Sequence, residues 1–187
     1  MLAAVCGIMD DVTGADARVV PERSGGRSIM KAAVLTVSDR AAAGVYEDRS
    51  GPAAVEFLRT KLHVENVVTA IVPDDRADVA RVLLHWVEVA GVRLVLTSGG
   101  TGISPRDVTP QATRDVLDYE VPGLAELMRA ASLAKTPMAA LSRATAGVRG
   151  HTLIINLPGS PKAVLECLEA VLPVLPHAMS QLEGGGH

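Results

Sequence analysis

The chain has little of several residue types that mark particular functions. Aromatic residues make up 2% of it and its net charge is −3. It therefore offers neither the stacking rings nor the basic surface that nucleic acids require. No apolar run approaches the roughly 18 residues of a membrane span. We expect no nucleic-acid partner and no membrane segment.

Cysteine and histidine are also sparse. The two cysteines, Cys6 and Cys167, lie at opposite ends of the chain, and a disulfide between them is not expected. This use of cysteine favours a reducing, cytoplasmic location. The five histidines are scattered without the spacing of metal ligands, which argues against a zinc site.

Length and composition indicate one globular domain with a short extension. The chain has 187 residues, 48% of them hydrophobic and 21% charged, which is enough for a full core. Residues 1–29 have no hydrophobic period, and residues 16–28 are rich in Arg, Gly, Ser and Pro, so we expect a flexible N-terminal extension. Its apolar start lacks a basic segment and is followed by Asp10 and Asp11, unlike a secretory signal. Residues 30–187 form the predicted domain, with Met1 and Met30 both possible starts.

The most informative stretch covers residues 92–113, VRLVLTSGGTGISPRDVTPQAT. Residues 92–96 have the length and branched character of a buried strand. Three glycines and three hydroxyl residues follow in six positions, and a helix is predicted with Thr109 as N-cap and Pro110 at its first position. A strand, a glycine-rich turn and a helix start commonly bind phosphate. The stretch therefore indicates a phosphate or nucleotide site.

Two familiar phosphate-binding motifs do not fit this stretch. A P-loop requires Lys followed by Ser or Thr after its last glycine, whereas Ile103 and Ser104 follow Gly102. The glycines at 99, 100 and 102 also lack the spacing of the dinucleotide motif. By pattern alone, a tight turn without a ligand remains an equal alternative.

The remaining periodicities predict alternating strands and helices. Residues 32–37 and 67–72 read as strands, and residues 144–156 as a hairpin turning at Gly150. A helix over residues 76–90 should bury Trp86, with Asp74 or Asp75 as its cap. Further helices are predicted from Gly51, over 110–119, from Pro122, and from Pro161 with Ser160 as N-cap. The pattern predicts an α/β three-layer αβα sandwich with a largely parallel sheet.

Several motifs taken together resemble one family. TSGGTG, ISP, RDVTP and QAT follow one another within the central stretch, with LSR at 141–143 and NLPGSPKA at 156–163. This order is similar to that of the molybdopterin adenylyltransferases, the Mog family, which includes the G domain of gephyrin and its plant counterparts. The MoaB proteins are near relatives. The resemblance covers residues 31–182.

The resemblance implies a reaction and a set of site residues. ATP and molybdopterin would give adenylyl-molybdopterin and pyrophosphate, with Mg²⁺ held by Asp74 and Asp107 as catalytic carboxylates. Ser132 and Ser142 are implied as pterin ligands by the resemblance alone, and Arg106 is expected in a structural ion pair. For Ser38 and Asp48, simple turn and cap chemistry is the alternative. The implied binding residues are Ser38, Asp48, Ser98, Gly99, Gly100, Thr101, Gly102, Ser132, Ser142, Arg143, Pro158, Gly159 and Ser160.

The resemblance also implies partners. Relatives suggest a homotrimer and hand-over of the product to a molybdenum-insertion protein. A non-catalytic molybdopterin carrier or scaffold of the MoaB type is the alternative function. The paired carboxylates Asp74 and Asp107 favour the enzyme, because a carrier has no need of a metal site.

Overall fold

A computed structural model describes residues 30–185. The predicted extension, residues 1–29, lies outside the described residues, as does Cys6. Six strands and seven α-helices are present in the described part, with a 3-10 helix at Pro137–Leu141. In chain order they are β1 Lys31–Val37, α1 Asp39–Ala42, α2 Ser50–Leu62, β2 Asn66–Val72, α3 Arg76–Glu88, β3 Leu94–Ser98, α4 Thr109–Val116, β4 Tyr119–Glu120, α5 Pro122–Leu133, β5 Ala146–Arg149, β6 Thr152–Leu157, α6 Pro161–Val171 and α7 Leu175–Leu182.

The strands form one sheet in the order β2-β1-β3-β6-β5-β4. Strands β2, β1, β3 and β6 are parallel. Strand β5 returns antiparallel to β6 through a turn at Gly150, and β4 pairs antiparallel with β5. The predicted hairpin and the predominantly parallel sheet are confirmed.

Two apolar cores cover the two faces of this sheet. Alternate residues of β1 enter opposite cores: Ala32 and Val34 pack on one side, Ala33 and Leu35 on the other. This is the period of two that a strand imposes on its side chains. The first core is completed by α2, α5, α6 and α7, and the second by α3 and α4. The arrangement is the predicted three-layer αβα sandwich.

Several local predictions are confirmed. Trp86 is buried within the second core. Asp75, rather than Asp74, caps α3 by accepting hydrogen bonds from the backbone N–H groups of Ala77 and Asp78. Ser160 caps α6 through the N–H of Ala163.

Three details of the central stretch differ from the prediction. The strand begins at Leu94 and continues through Ser98, because its pairing with β1 and β6 extends to that residue. The helix ends at Val116, since Tyr119 pairs with Val148 in the sheet. Thr109 is not the N-cap but the first residue of α4, so Pro110 takes the second position instead of the predicted first. The Thr109 hydroxyl donates to a backbone carbonyl of the glycine turn.

The apolar segments do not make a single spanning helix. Within residues 30–185, no one helix is long and apolar enough to cross a membrane. The pair α6 and α7 reaches that length and composition only together and is bent by 67°.

Candidate functional site

The turns that follow the four parallel strands meet at one edge of the sheet. The register pairs Val37 with Val72 and Ser98 with Leu157, so the strands end side by side. Ser38 donates its N–H to the carbonyl of Val72 at 2.9 Å, and Gly99 donates to Leu157 at 3.2 Å. Residues distant in sequence therefore converge where α/β sheets usually bind ligands.

The glycine turn after β3 requires glycine at two positions. Gly99 has φ +100° and Gly100 has φ +62°, values that residues with a Cβ rarely adopt. A Cβ on Gly99 would collide with the carbonyl oxygen of Val37, and one on Gly100 with Oγ1 of Thr109. Thr109 in turn fixes the turn, donating its hydroxyl to Gly99 O at 2.8 Å and its N–H to Gly100 O at 3.2 Å.

The turn presents backbone donors that the protein itself does not use. Within residues 30–185, no hydrogen bond engages the N–H groups of Gly100, Thr101 or Gly102. Successive free N–H groups in a turn of this kind form a concave anion site. The absence of side chains at Gly100 and Gly102 lets a ligand reach the backbone.

A cavity of about 240 Å³ lies on one side of the glycine turn. Its wall contains three carboxylates, Asp48, Asp74 and Asp107, and within the described part of the chain no lysine, arginine or histidine lines it. It is called the acidic cavity below. The sequence-predicted residues that it brings together are Ser38, Asp48, Asp74, Ser98, Gly99, Gly100, Asp107 and Gly159.

Asp74 is held by the residue that follows Ser38. The N–H of Asp39 donates to Asp74 Oδ2 at 2.8 Å, and the N–H of Asp74 donates to Asp39 Oδ1 at 3.0 Å. Burial raises the pKa of Asp74; the charges of Asp39 and Asp107 raise it further, while the Asp39 N–H and Arg106 act against them. A half-buried carboxylate among like charges is a group that a cation would stabilise.

The predicted ion pair of Arg106 is confirmed, and its partner is Asp39. Arg106 donates from Nε at 3.0 Å and from Nη2 at 2.7 Å to the two carboxylate oxygens. These bonds hold the pKa of Asp39 below its ordinary value. Sequence reasoning missed Asp39, the first residue of α1. Its position directly after a strand that ends at the ligand edge was the available signal.

Asp107 faces the glycine turn from the loop before α4. Its Oδ2 accepts the N–H of Ser104 at 2.7 Å and lies 2.9 Å from the position that a Cβ on Gly102 would occupy. Among residues 30–185, neither Asp74 Oδ1 nor Asp107 Oδ1 receives a hydrogen bond. Each carboxylate thus keeps one oxygen available at the same cavity.

The carboxylates of Asp74 and Asp107 fit a magnesium ion that would be bound together with a phosphate of the substrate. Within the described residues no group of three or more His, Cys, Asp or Glu side chains is arranged to hold a metal. Mg²⁺ commonly binds through one or two carboxylates together with water and substrate phosphates. Asp74 and Asp107 both line the acidic cavity and would supply these two carboxylates.

Ser38 and Asp48 also have local structural roles. Ser38 Oγ accepts the N–H of Ala41 at 3.3 Å and caps α1. Asp48 Oδ1 accepts from the N–H and hydroxyl of Ser50 and from the N–H of Gly51, while Oδ2 accepts from Thr36. Burial raises the pKa of Asp48, but these hydrogen bonds outweigh it and leave the pKa below its ordinary value. Asp48 therefore stays charged and internally satisfied.

A second cavity of about 280 Å³ lies on the other side of the glycine turn. Apolar side chains of α5, the 3-10 helix and α6 line it together with polar residues that include Arg129 and Glu166. It is more apolar than the first cavity and is called the apolar cavity below. Ser132 and Ser142 both line it; Ser132 Oγ lies 3.7 Å from the Cys167 thiol, and Ser142 Oγ accepts the N–H of Ala144 at 3.4 Å. Burial raises the pKa of that thiol. The remaining sequence-predicted residues here are Thr101, Gly102 and Pro158.

The two cavities share a thin wall. In the first glycine turn, Gly100 lines the acidic cavity and Thr101 lines the apolar cavity. In the turn after β6, Gly159 lines the acidic cavity and Pro158 lines the apolar cavity. A Cβ on Gly159 would lie 3.4 Å from Gly99 Cα, so the two glycine turns touch. Ligands in the two cavities would therefore meet across these turns.

Two residues predicted to bind ligands, Arg143 and Ser160, instead hydrogen-bond to backbone groups around the site. Arg143 donates from Nε to Gly102 O and from Nη2 to Asp107 O, and so joins the glycine turn to the loop before α4. It lines neither cavity. Ser160 caps α6. Ser98 both lines the acidic cavity and donates its hydroxyl to Pro158 O at 3.0 Å, joining the two turns.

The sequence and the fold of this chain are both similar to those of molybdopterin-related proteins. The family described as "Probable molybdopterin binding domain" matches residues 33–177. The molybdopterin adenylyltransferase of Helicobacter pylori strain J99 is 46% identical over 157 residues, or 81% of this chain and 86% of that protein. The structure of MoaB, a molybdopterin biosynthesis enzyme of Thermus thermophilus, is 54% identical with a TM-score of 0.78, covering 83% of this chain and 97% of that one. The Mog protein of Mycobacterium ulcerans is 44% identical with a TM-score of 0.77, covering 82% and 99%.

Proposed function

This chain belongs to the molybdopterin-binding domain family, and we propose that it acts in molybdenum cofactor biosynthesis as a molybdopterin adenylyltransferase. The match covers 86% of the Helicobacter pylori protein of this name and 73% of that of Escherichia coli. We propose ATP as the nucleotide, Mg²⁺ as the metal, and adenylyl-molybdopterin with pyrophosphate as the products.

The observation that carries this proposal is the pair of cavities on the two sides of the glycine turn. An anion-binding turn with paired carboxylates suits a nucleotide with its metal. The largely apolar cavity, with hydroxyl groups from Ser132 and Ser142, suits a flat heterocycle bearing a phosphate. The α-phosphate of ATP and the terminal phosphate of molybdopterin would then face one another beside the two glycine turns, residues 99–102 and 158–159.

The chemistry is in-line displacement at the α-phosphorus of ATP. An oxygen of the terminal phosphate of molybdopterin forms the new bond, and the bond to the bridging oxygen of the β-phosphate breaks. That oxygen leaves with the electron pair as part of pyrophosphate. Because both reactants are anions, the protein must chiefly position them and offset their repulsion.

Each part of the site has a role in this scheme. The free N–H groups of Gly100, Thr101 and Gly102 would hold phosphate oxygens in the orientation needed for attack. Asp74 and Asp107 would hold Mg²⁺, which supplies positive charge to the nucleotide phosphates when bound. Arg143 and Thr109 keep the turn rigid, so its donors need little rearrangement during the reaction.

The assembly and location complete the proposal. We place the enzyme in the cytoplasm as a homotrimer that hands its product to a molybdenum-insertion protein. Partly exposed apolar residues of α5, such as Leu127 and Leu133, and of β4, such as Tyr119, support a subunit contact. The molar mass in solution, measured by light scattering, distinguishes a trimer from a monomer.

The decisive experiment mixes the protein with molybdopterin, ATP and Mg²⁺ and follows adenylyl-molybdopterin and pyrophosphate. We expect both products in equal amounts, with formation abolished by chelating the metal. Tight pterin binding without either product would instead identify a carrier of the MoaB type. Release of phosphate or ADP from ATP would contradict the assigned bond cleavage.

A further inference from the structure

Tyr46 brings two arginines to the edge of the acidic cavity. It lies in the loop between α1 and α2, and it lines that cavity together with Asp74, Gly100 and Asp107. The guanidinium of Arg40 sits over its ring, 5.0 Å from the centroid, within the range of a cation–π contact. Arg49 donates from Nη2 to the Tyr46 hydroxyl at 3.3 Å. One aromatic side chain thus orients two cations from opposite ends of a loop.

Neither arginine forms an ion pair with an acidic side chain. Within residues 30–185, Arg40 and Arg49 take part in no salt bridge. Asp48, the nearest carboxylate of the cavity wall in sequence to Arg49, already accepts four hydrogen bonds from Thr36, Ser50 and Gly51. The charge of Glu47 acts on Arg49 without forming an ion pair with it. Both guanidinium groups therefore remain available to an incoming anion.

The other arginines beside the site are already used. Arg106 is paired with Asp39, and Arg143 donates to two backbone carbonyls. The acidic cavity itself contributes carboxylates but no basic side chain from the described residues. A triphosphate bound there needs cations beyond the cavity wall. Arg40 and Arg49 contact the lining residue Tyr46 through its side chain and, unlike Arg106 and Arg143, are not engaged by a carboxylate or a backbone carbonyl of the described residues.

We propose that Arg40 and Arg49 bind the β- and γ-phosphates of the nucleotide and stabilise pyrophosphate as it leaves. This inference rests on the proposed adenylyl transfer. When the bond between the α-phosphorus and the bridging oxygen breaks, negative charge accumulates on pyrophosphate. Planar guanidinium groups with several N–H donors match phosphate oxygens well. Tyr46 is the positioning residue, because it holds both cations at the cavity before the ligand arrives.

The test measures binding of inorganic pyrophosphate, ATP and AMP to the full-length protein by calorimetry in the presence of Mg²⁺. Arg40→Gln and Arg49→Gln should each weaken pyrophosphate and ATP binding about tenfold, the size of one lost charge-assisted hydrogen bond. AMP binding should remain within about twofold, because AMP lacks the two outer phosphates. The matched control is Arg81→Gln, which removes an exposed arginine from α3 and should change none of the three affinities.

Two tyrosine variants separate positioning from folding. Tyr46→Phe removes the acceptor of Arg49 but keeps the ring under Arg40, whereas Tyr46→Leu removes both. We expect a graded loss of pyrophosphate affinity, larger for Tyr46→Leu, with an unchanged urea midpoint of unfolding. A purely structural tyrosine would shift that midpoint and weaken AMP as much as pyrophosphate.

Failure of this inference can be told apart from failure of the proposed function. If the unmodified protein binds ATP and pyrophosphate and both arginine variants bind them equally well, the assignment of Arg40 and Arg49 is wrong while the function stands. If AMP affinity falls as much as pyrophosphate affinity, the arginines act elsewhere on the nucleotide and the inference is also overturned. If the unmodified protein forms no adenylyl-molybdopterin, the function itself fails.

Discussion

Asp39 and Asp74 exchange hydrogen bonds in both directions, each donating its backbone N–H to the carboxylate of the other. This reciprocal pair joins the turn after β1 to the turn after β2. Arg106 extends the connection to the loop after the glycine turn by pairing with Asp39. Three separate turns are thereby held in one arrangement around the acidic cavity.

The first prediction concerns Asp39. Asp39→Ala removes the acceptor of the Asp74 N–H and the partner of Arg106, although it keeps the backbone N–H that binds the Asp74 carboxylate. The turn that carries Asp74 should therefore be held less firmly against the turn after β1. We expect adenylyl transfer to fall about tenfold, equivalent to one net hydrogen bond at the transition state. Asp39→Asn keeps one acceptor oxygen and should lose less.

The control for Asp39 is a similar ion pair remote from the cavities. Arg76 and Asp115 are joined by two hydrogen bonds of 2.6 Å and are comparably exposed. Asp115→Ala should leave the transfer rate unchanged. Equal losses in Asp39→Ala and Asp115→Ala would show that surface ion pairs in general, and not the link to Asp74, matter for the rate.

The second prediction concerns the two proposed metal carboxylates. Asp107→Asn removes a charge while keeping the shape of the side chain, so molybdopterin should still bind. Transfer should fall about a hundredfold or more, as for other losses of transition-state stabilisation. Asp74→Asn should behave similarly, and the double variant should be far less than additive, because both residues serve one ion.

The third prediction concerns the apolar cavity. If Ser142 donates to a substrate phosphate, Ser142→Ala should weaken molybdopterin binding by roughly 1–3 kcal/mol. ATP binding should barely change, since Ser142 lies on the other side of the glycine turn from the acidic cavity. Titration with molybdopterin measures the first effect and titration with ATP the second. If Ser142→Ala and the unmodified protein bind molybdopterin with equal affinity, Ser142 has only a structural role.

The fourth prediction concerns the glycine turn. Gly99→Ala should lower the free energy of unfolding by about 2 kcal/mol or more, because its φ is strained for alanine and its Cβ would meet the Val37 carbonyl. Gly123, in the first turn of α5, has nothing within 4 Å of a Cβ. Gly123→Ala should therefore be neutral or stabilising by about 0.5 kcal/mol. Denaturant unfolding of the two variants provides the comparison.

The fifth prediction concerns the pH dependence of stability. The pKa of Asp74 is raised from 3.8 in the folded protein, so the folded state holds this proton more tightly than the unfolded state. The contribution of Asp74 to stability therefore falls as pH rises from the unfolded-state pKa through the folded-state pKa. Asp74→Asn should be more stable than the unmodified protein at neutral pH without metal, and this advantage should shrink toward about pH 4.

The control for the pH experiment is Asp115, whose pKa is lowered by its hydrogen bonds with Arg76. Its contribution to stability is present at neutral pH and is lost as pH falls. Asp115→Asn should therefore destabilise the protein at neutral pH, the opposite sign to Asp74→Asn. Urea unfolding of both variants across the same pH range measures the two slopes. The same sign in both would contradict the environment assigned to Asp74.

Features determined within a few consecutive residues could be predicted from sequence. The Ser160 cap, the hairpin at Gly150 and the buried stripe containing Trp86 depend on local spacing and chain conformation. The glycine turn was also visible, because a strand precedes it and a helix follows. The family resemblance supplied Ser132 and Ser142, whose side chains carry no local signal of their own.

Features that depend on distant contacts could not be predicted in the same way. Thr109 has the sequence position of a cap, yet its hydroxyl bonds to Gly99 because α4 packs against the glycine turn. Asp39 gains its role only when β1 and β2 lie side by side. The division of neighbouring residues between two cavities likewise requires the full arrangement of turns.

The thin wall formed by the two touching glycine turns has a kinetic consequence. Because the two cavities have no lining residue in common within residues 30–185, we expect that either reactant can bind while the other is in place. We therefore predict that both reactants are bound together in a ternary complex before any product is released. Double-reciprocal plots at several concentrations of the second reactant would then intersect, in contrast to the parallel lines of a covalent adenylyl-enzyme.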